Sequence, residues 1–202
     1  MIEIKNLSKA FGGNIIFKEY NLHISEGEMV AITGSSGKGK STLLNIIGSL
    51  ESYDEGIVEV NKRDLRKINR KSQLEFLRNE VSFLFQNYAL MENDTVSENI
   101  MLGLKQSTKN IENVLLKVGL EGFEKRIVHT LSGGEQQRVA LARIILKPSR
   151  IILADEPTGN LDDCNAEKVW GILKNLKDMN KTIIVASHET QAYRYFDRII
   201  EL

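Results

Sequence analysis

The chain reads as an α/β fold with a mostly parallel sheet, and three observations support this. Short, continuous apolar runs recur at 29–33, 81–85, 151–154 and 182–186, as strands covered on both faces require. The first run leads directly into a glycine-rich loop and then a stretch with helical character, 40–48. Between Gln86 and Leu131 the pattern turns mostly helical, so a strand-and-helix core is interrupted by an insertion.

The elements follow in order. Ile2, Ile4 and Leu7 open a first strand, and 15–24 reads as a second. Ser25-Glu26-Gly27-Glu28 is a turn before the buried strand 29–33. Strand 57–60 joins the first two in a separate antiparallel layer. Leu74, Phe76 and Leu77 suggest a helix just before Val81, while 96–104 and 111–118 carry apolar residues at helical spacing. Residues 198–202 form the last strand. The expectation is one domain over 1–202 with a helical insertion over 87–145. Only Pro148 and Pro157 occur, so no proline-rich linker divides the chain.

Composition narrows the class. A hydrophobic content of 42% fits a globular protein with a sizeable core. Lysine plus arginine number 27, as do aspartate plus glutamate. That balance gives no electrostatic reason to expect nucleic-acid binding. Cys164 is the single cysteine, so no intrachain disulfide forms. The opening Met1-Ile2-Glu3-Ile4-Lys5 alternates like a strand rather than a secretory leader. The most apolar windows, 139–146 and 183–186, are too short to span a bilayer. A cytoplasmic protein is expected, with any membrane role carried by a partner chain.

The loop Gly34-Ser35-Ser36-Gly37-Lys38-Gly39-Lys40-Ser41-Thr42 matches the phosphate-binding P-loop pattern. It stands between an apolar strand and a helix, where that pattern requires it. Glycines let successive backbone N–H groups turn inward onto phosphate oxygens. The helix start adds the positive end of its dipole. Lys40 places a cation on the β- and γ-phosphates, the Ser41 hydroxyl can ligate Mg²⁺, and Thr42 can donate to the α-phosphate. By itself the loop indicates a nucleotide and little about purpose.

Further motifs name a family. Leu131-Ser132-Gly133-Gly134-Glu135-Gln136-Gln137-Arg138 resembles the signature of ATP-binding-cassette (ABC) ATPases. Ile151-Ile152-Leu153-Ala154-Asp155-Glu156-Pro157 is similar to a Walker B strand with its catalytic glutamate. Gly159-Asn160-Leu161-Asp162 resembles the D-loop, Gln86 the Q-loop glutamine and His188 the switch histidine. They stand in the family's order across essentially the whole chain.

This resemblance implies ATP and Mg²⁺ as ligands, with Ser41, Gln86 and Asp155 around the metal. It implies that Glu156 orients or deprotonates the attacking water, that His188 contacts the γ-phosphate and that Lys40 holds the phosphates. It also implies that Ser132, Gly133, Gly134 and Glu135 meet the nucleotide bound by a second copy, in a homodimer sandwiching two ATP molecules. Phe11 resembles the aromatic that stacks on adenine, and core packing is the competing reading. Lys38 replaces the family's usual small residue. Its side chain either adds a second cation near the phosphates or points to solvent. Trp170, with Val169, Leu173 and Leu176, reads as helix packing.

Leu43-Leu44-Asn45-Ile46-Ile47-Gly48, Phe85-Gln86-Asn87 and the stretch from Ala154 to Asp162 resemble the LolD/MacB-like subfamily. That group includes lipoprotein-release, macrolide, peptide and bacteriocin exporters and a cell-division relative. The resemblance implies an integral-membrane permease partner and a place on the inner face of the cell membrane. A groove near the Q-loop would grip the permease, with Phe85, Tyr88, Leu90, Met91 and Val96 lining it or serving the core. The competing classes are a soluble or cell-division-type ABC ATPase that performs no transport, and a P-loop kinase. The signature at 131–138 argues against the kinase. The interval from Gln86 to Leu131 leaves no room for the coiled coil of a DNA-repair ATPase.

Overall fold

A computed structural model describes residues 1–102, 104 and 108–202. Two sheets organise them. β1 (Ile2–Phe11), β2 (Asn14–Ile24), β4 (Glu55–Val60) and β5 (Arg63–Asp64) form an antiparallel sheet in the order β2-β1-β4-β5. β3 (Met29–Thr33), β6 (Val81–Leu84), β7 (Ile151–Asp155), β8 (Thr182–Ala186) and β9 (Arg198–Glu201) form the second sheet, in the order β6-β7-β8-β3-β9. Each of its pairings is parallel.

The helix after the glycine-rich loop, α1 (Lys40–Ile47), lies between the two sheets. Its buried Leu43, Leu44, Ile46 and Ile47 share one cluster with Ile2, Ile4 and Val58 of the antiparallel sheet and with Val30, Leu153 and Ile184 of the parallel one. Each such side chain contributes roughly 1.5–3 kcal/mol by leaving water, so α1 is clamped on both sides. The opposite face of the parallel sheet carries Ile152, Ile183 and Val185. They pack on α5 (Gly133–Leu146) and α6 (Asp163–Asp178) through Leu141, Trp170 and Leu173. Alternate residues of β8 thus serve opposite faces, as the period of two requires.

Trp170 is buried, stacked on Tyr195 at 5.7 Å and edge-on to Phe196 at 5.6 Å. The helix-packing reading of this residue holds. Cys164 is free and exposed.

α2 (Arg70–Asn79) precedes β6, as the Leu74, Phe76 and Leu77 pattern suggests. The helical stretch between Gln86 and Leu131 contains α3 (Val96–Met101) and α4 (Thr108–Lys117). With one face of α5 they bury Val96, Ile100, Val114, Leu115, Val139 and Ala142 in a third cluster.

The sequence reading needs two corrections here, and one open choice is settled. The helix expected over 96–104 ends at Met101, because Leu102 turns to φ −53°, ψ 111°. Position 103 lies outside the described residues. Of the two readings open for Val96, core holds, since it is fully buried in the third cluster. β5 was not anticipated. It returns through a tight turn in which Asn61 and Lys62 both have positive φ, 50° and 64°, the backbone of a two-residue hairpin. Lysine at a position that favours glycine hides that turn from a composition reading.

Candidate functional site

The site gathers at the C-terminal ends of parallel strands, where open α/β sheets present ligand crevices. β3 delivers the loop 34–39, β6 delivers Gln86, β7 delivers Asp155 and Glu156, and β8 delivers His188. A cavity of about 600 Å³ is lined by Gly34, Ser35, Ser36, Gly37, Gly39, Lys40, Ser41, Thr42, Gln86, Asp155, Glu156 and His188. Residues separated by more than a hundred positions therefore meet at one place.

The loop's shape depends on glycine at its end. Gly39 stands at the N-cap of α1 with φ 93° and offers no side-chain cap. A Cβ there would lie 2.4 Å from Ile16 Cγ2 and 3.0 Å from Phe17 Cζ. The first turn of α1 carries no acidic residue, so its backbone N–H groups stay available to an anion. Lys40 folds back over the loop, and its Nζ donates to the carbonyls of Gly34 at 2.8 Å and Ser35 at 3.3 Å.

The carboxylates sit opposite. Burial pushes the Asp155 carboxyl above its usual range, and Glu156 adds to this, while a hydrogen bond with Ser41 and the charge of Lys40 work against it. Glu156 holds an unusual backbone, φ 46°, fixed by its N–H donating to the Ala186 carbonyl at 2.9 Å. Its Oε1 meets His188 Nδ1 at 2.9 Å. Its Oε2 is buried without a hydrogen-bond partner. His188 is largely exposed, and its hydrogen bond and charge attraction to Glu156 hold its pKa above the ordinary value.

These donors fit Mg²⁺. A serine hydroxyl already bonded to a carboxylate is a hard oxygen pair facing an open cavity. No group of three His, Cys, Asp or Glu side chains suited to a metal occurs among the described residues. Magnesium takes few protein ligands and completes its shell with phosphate and water. A bound cation would also offset the burial penalty on Asp155.

Several expected site residues stand apart from this cavity. Lys38 is exposed and does not line it. Phe11 is 44% exposed, with Lys9 Nζ 4.3 Å from its ring centre, so the core-packing reading of Phe11 fails. Ser132, Gly133, Gly134 and Glu135 form the start of α5, away from the cavity lining. There the Ser132 hydroxyl accepts from the Glu135 N–H at 3.3 Å, and Glu135 Oε2 accepts from the Ser132 N–H at 2.7 Å. This reciprocal cap holds the Glu135 carboxyl below its usual range, led by that backbone bond.

Sequence reasoning gave no role to a buried polar link behind that helix start. Gln137 Nε2 donates to the Pro157 carbonyl at 2.5 Å, and Arg138 Nη1 donates to Asn165 Oδ1 at 2.8 Å. Asn165 in turn donates to Asp162 Oδ1 and Oδ2, at 2.9 and 2.6 Å. The Asp162-x-x-Asn165 spacing at a helix start was the available signal.

Comparison with known proteins agrees with this geometry. The family described as ABC transporter matches residues 17–159. The macrolide export ATP-binding/permease protein MacB of Mannheimia succiniciproducens is 40% identical over the whole chain. The chain spans about a third of the length of the curated relatives it matches. The dimeric structure of MJ0796, an ABC transporter cassette, superposes with a TM-score of 0.91 at 38% identity, covering 100% of this chain and 94% of that one. A dimeric post-hydrolysis state of MJ0796 bound to ADP and Pi gives 0.90 at 37% identity, with the same coverage. On motifs, fold and full-length similarity, this chain belongs to the ABC transporter family and is one of its ATPase cassettes.

Proposed function

We propose that two copies of the chain close head-to-tail around two Mg-ATP and that hydrolysis reopens them. That cycle drives a membrane permease which exports or releases a peptide, bacteriocin, lipoprotein or drug. One observation carries this reading. The chain assembles phosphate loop, carboxylates and histidine in one cavity, while its signature segment Ser132–Gly133–Gly134–Glu135 stands outside that cavity. One copy thus offers two half-sites and needs another copy to complete either.

In this reading Lys40, which donates to the carbonyls of Gly34 and Ser35 in the cavity lining, would exchange them for phosphate oxygens. Ser41 and Asp155, with Gln86 beside them, would hold Mg²⁺, which when bound neutralises phosphate charge. Oε2 of Glu156 has no partner, and it is the atom that takes the proton of the attacking water. His188 holds Oε1 and keeps the carboxylate oriented. As an exposed side chain it can also turn to the γ-phosphate. Phe11, already exposed, offers its ring to adenine. Lys38 contributes its backbone N–H and leaves its side chain in solvent. The start of α5 supplies N–H groups to the partner copy's nucleotide. The 87–145 segment serves as the helical subdomain that carries this contact.

A place on the inner face of the membrane follows from the permease. No helix among the described residues is long and apolar enough to cross a bilayer. Glu156→Gln keeps the shape and removes the base. It is expected to retain ATP binding, to lower turnover by about 10²–10⁴-fold and to accumulate as a dimer with Mg-ATP. Light scattering that shows only monomer for this variant would sink the sandwich.

A further inference from the structure

Lys9 is a buried lysine, 5% exposed, on β1 opposite Phe17 of β2. Lysine is rarely buried unless paired, and Lys9 Nζ pairs with Glu51 Oε1 at 2.7 Å. The same Nζ lies over the face of the Phe11 ring, 4.3 Å from its centre. Glu51 stands just beyond α1, where its N–H and that of Leu50 donate to the Asn45 carbonyl at 3.2 and 2.8 Å. The helix that starts at the phosphate loop therefore also holds, from beyond its other end, the carboxylate that fixes Lys9.

Stability gives no reason for this pair. A buried ion pair loses in desolvation much of what it gains, and apolar residues of similar volume often serve a fold as well or better. What the pair does locally is fix a cation on one face of an aromatic ring that is itself 44% exposed. The negative face of the ring attracts the ammonium, so the plane of Phe11 is held where a free exposed phenylalanine would turn. The backbone is held too. The Ala10 N–H donates to Asp54 Oδ2 at 2.8 Å, and Phe11 pairs with Asn14 across the hairpin. Ile16 and Phe17 of the same hairpin lie close against Gly39, so this platform is braced on the phosphate loop.

We propose that Lys9 and Glu51 are positioning residues for the nucleobase. Glu51 fixes the Lys9 ammonium, the ammonium covers one face of Phe11, and the opposite face stays open and aligned to stack on the base of ATP. The inference rests on the reading of Phe11 as the base platform and adds to it what holds that platform. A ring ordered before the ligand arrives loses less freedom on binding. The device acts on the base and leaves the phosphates to the loop.

The test compares binding of Mg-ATP and of Mg-tripolyphosphate, which lacks base and ribose, to the full chain by calorimetry. Phe11→Ala is expected to weaken ATP by about tenfold and to leave tripolyphosphate unchanged. Lys9→Met is expected to weaken ATP by about threefold and to raise KM in step, with kcat and tripolyphosphate binding unchanged. Glu51→Gln, a milder change, is expected to give the same pattern, and Lys9→Arg to retain ATP binding. Placed on Phe11→Ala, Lys9→Met is expected to add nothing. If Phe11→Ala weakens both ligands alike, or neither, the stacking reading falls and the positioning role with it. If Phe11→Ala is selective but Lys9→Met and Glu51→Gln leave ATP affinity untouched, the positioning role is overturned and stacking survives. If Lys9→Met and Glu51→Gln weaken both ligands equally, or Lys9→Met adds to Phe11→Ala, the pair serves only the fold of β1 and the positioning role is overturned.

Discussion

Glu156 and His188 show how one side-chain pair sets a protonation state. His188 Nδ1 lies 2.9 Å from Glu156 Oε1, and this raises the histidine pKa. A group raised on folding stabilises the native chain below its ordinary value, near 6.5. That contribution is lost as pH rises through the raised value. Following His188 by NMR titration is expected to give a pKa above 6.5 in the native chain and one moving back toward 6.5 in Glu156→Gln. An unmoved titration would mean that the carboxylate does not control the ring. The same carboxylate holds a left-handed backbone, which costs a residue other than glycine about 1–2 kcal/mol. Strain at the residue next to Asp155 is consistent with a site shaped for chemistry rather than for stability.

At the level of elements, two helices start with the same device. α3 begins at Thr95 with Glu98 closing the reciprocal cap, and α5 begins at Ser132 with Glu135 doing so. Each alanine replacement at the cap is expected to cost about 1 kcal/mol in denaturant unfolding. Only Ser132→Ala is expected also to reduce ATP turnover, since in the proposed dimer the start of α5 faces the partner copy's nucleotide. Equal turnover in the Thr95 and Ser132 variants would remove the functional role assigned to α5.

The sequence made such elements legible to different degrees. The buried strands β3, β7 and β8 were plain because continuous apolar runs have few other uses. Lys40, Asp155, Glu156 and His188 were placed because motif residues sit at strand ends. Val96 stayed open between groove and core because an apolar residue at a helix start looks the same whether its neighbour is core or partner. The Gln137–Pro157 and Arg138–Asn165 links depend on which helices pack together.

Across the whole molecule, the phosphate-loop strand depends on the last strand. β9 pairs with β3 along Val30–Arg198 to Thr33–Glu201, and Leu202 N–H donates to the Thr33 carbonyl at 3.0 Å. Arg198 binds Glu28 just before β3. Removing 198–202 is expected to expose one edge of β3, lower thermal stability by about 2–4 kcal/mol and weaken ATP binding. A truncated chain that melts and binds ATP like the intact one would show that β9 is dispensable.

The strand order has a consequence for how the protein is made. β3 (29–33) is synthesised about 150 residues before its two neighbours, β8 (182–186) and β9 (198–201). On the ribosome this apolar strand stays unpaired on both edges until residues 182–201 have emerged. Long-range pairing of this kind is slow and prone to aggregation. Translation products that stop before residue 182 would therefore leave the apolar strand 29–33 with both edges open, and would be sticky rather than merely inactive.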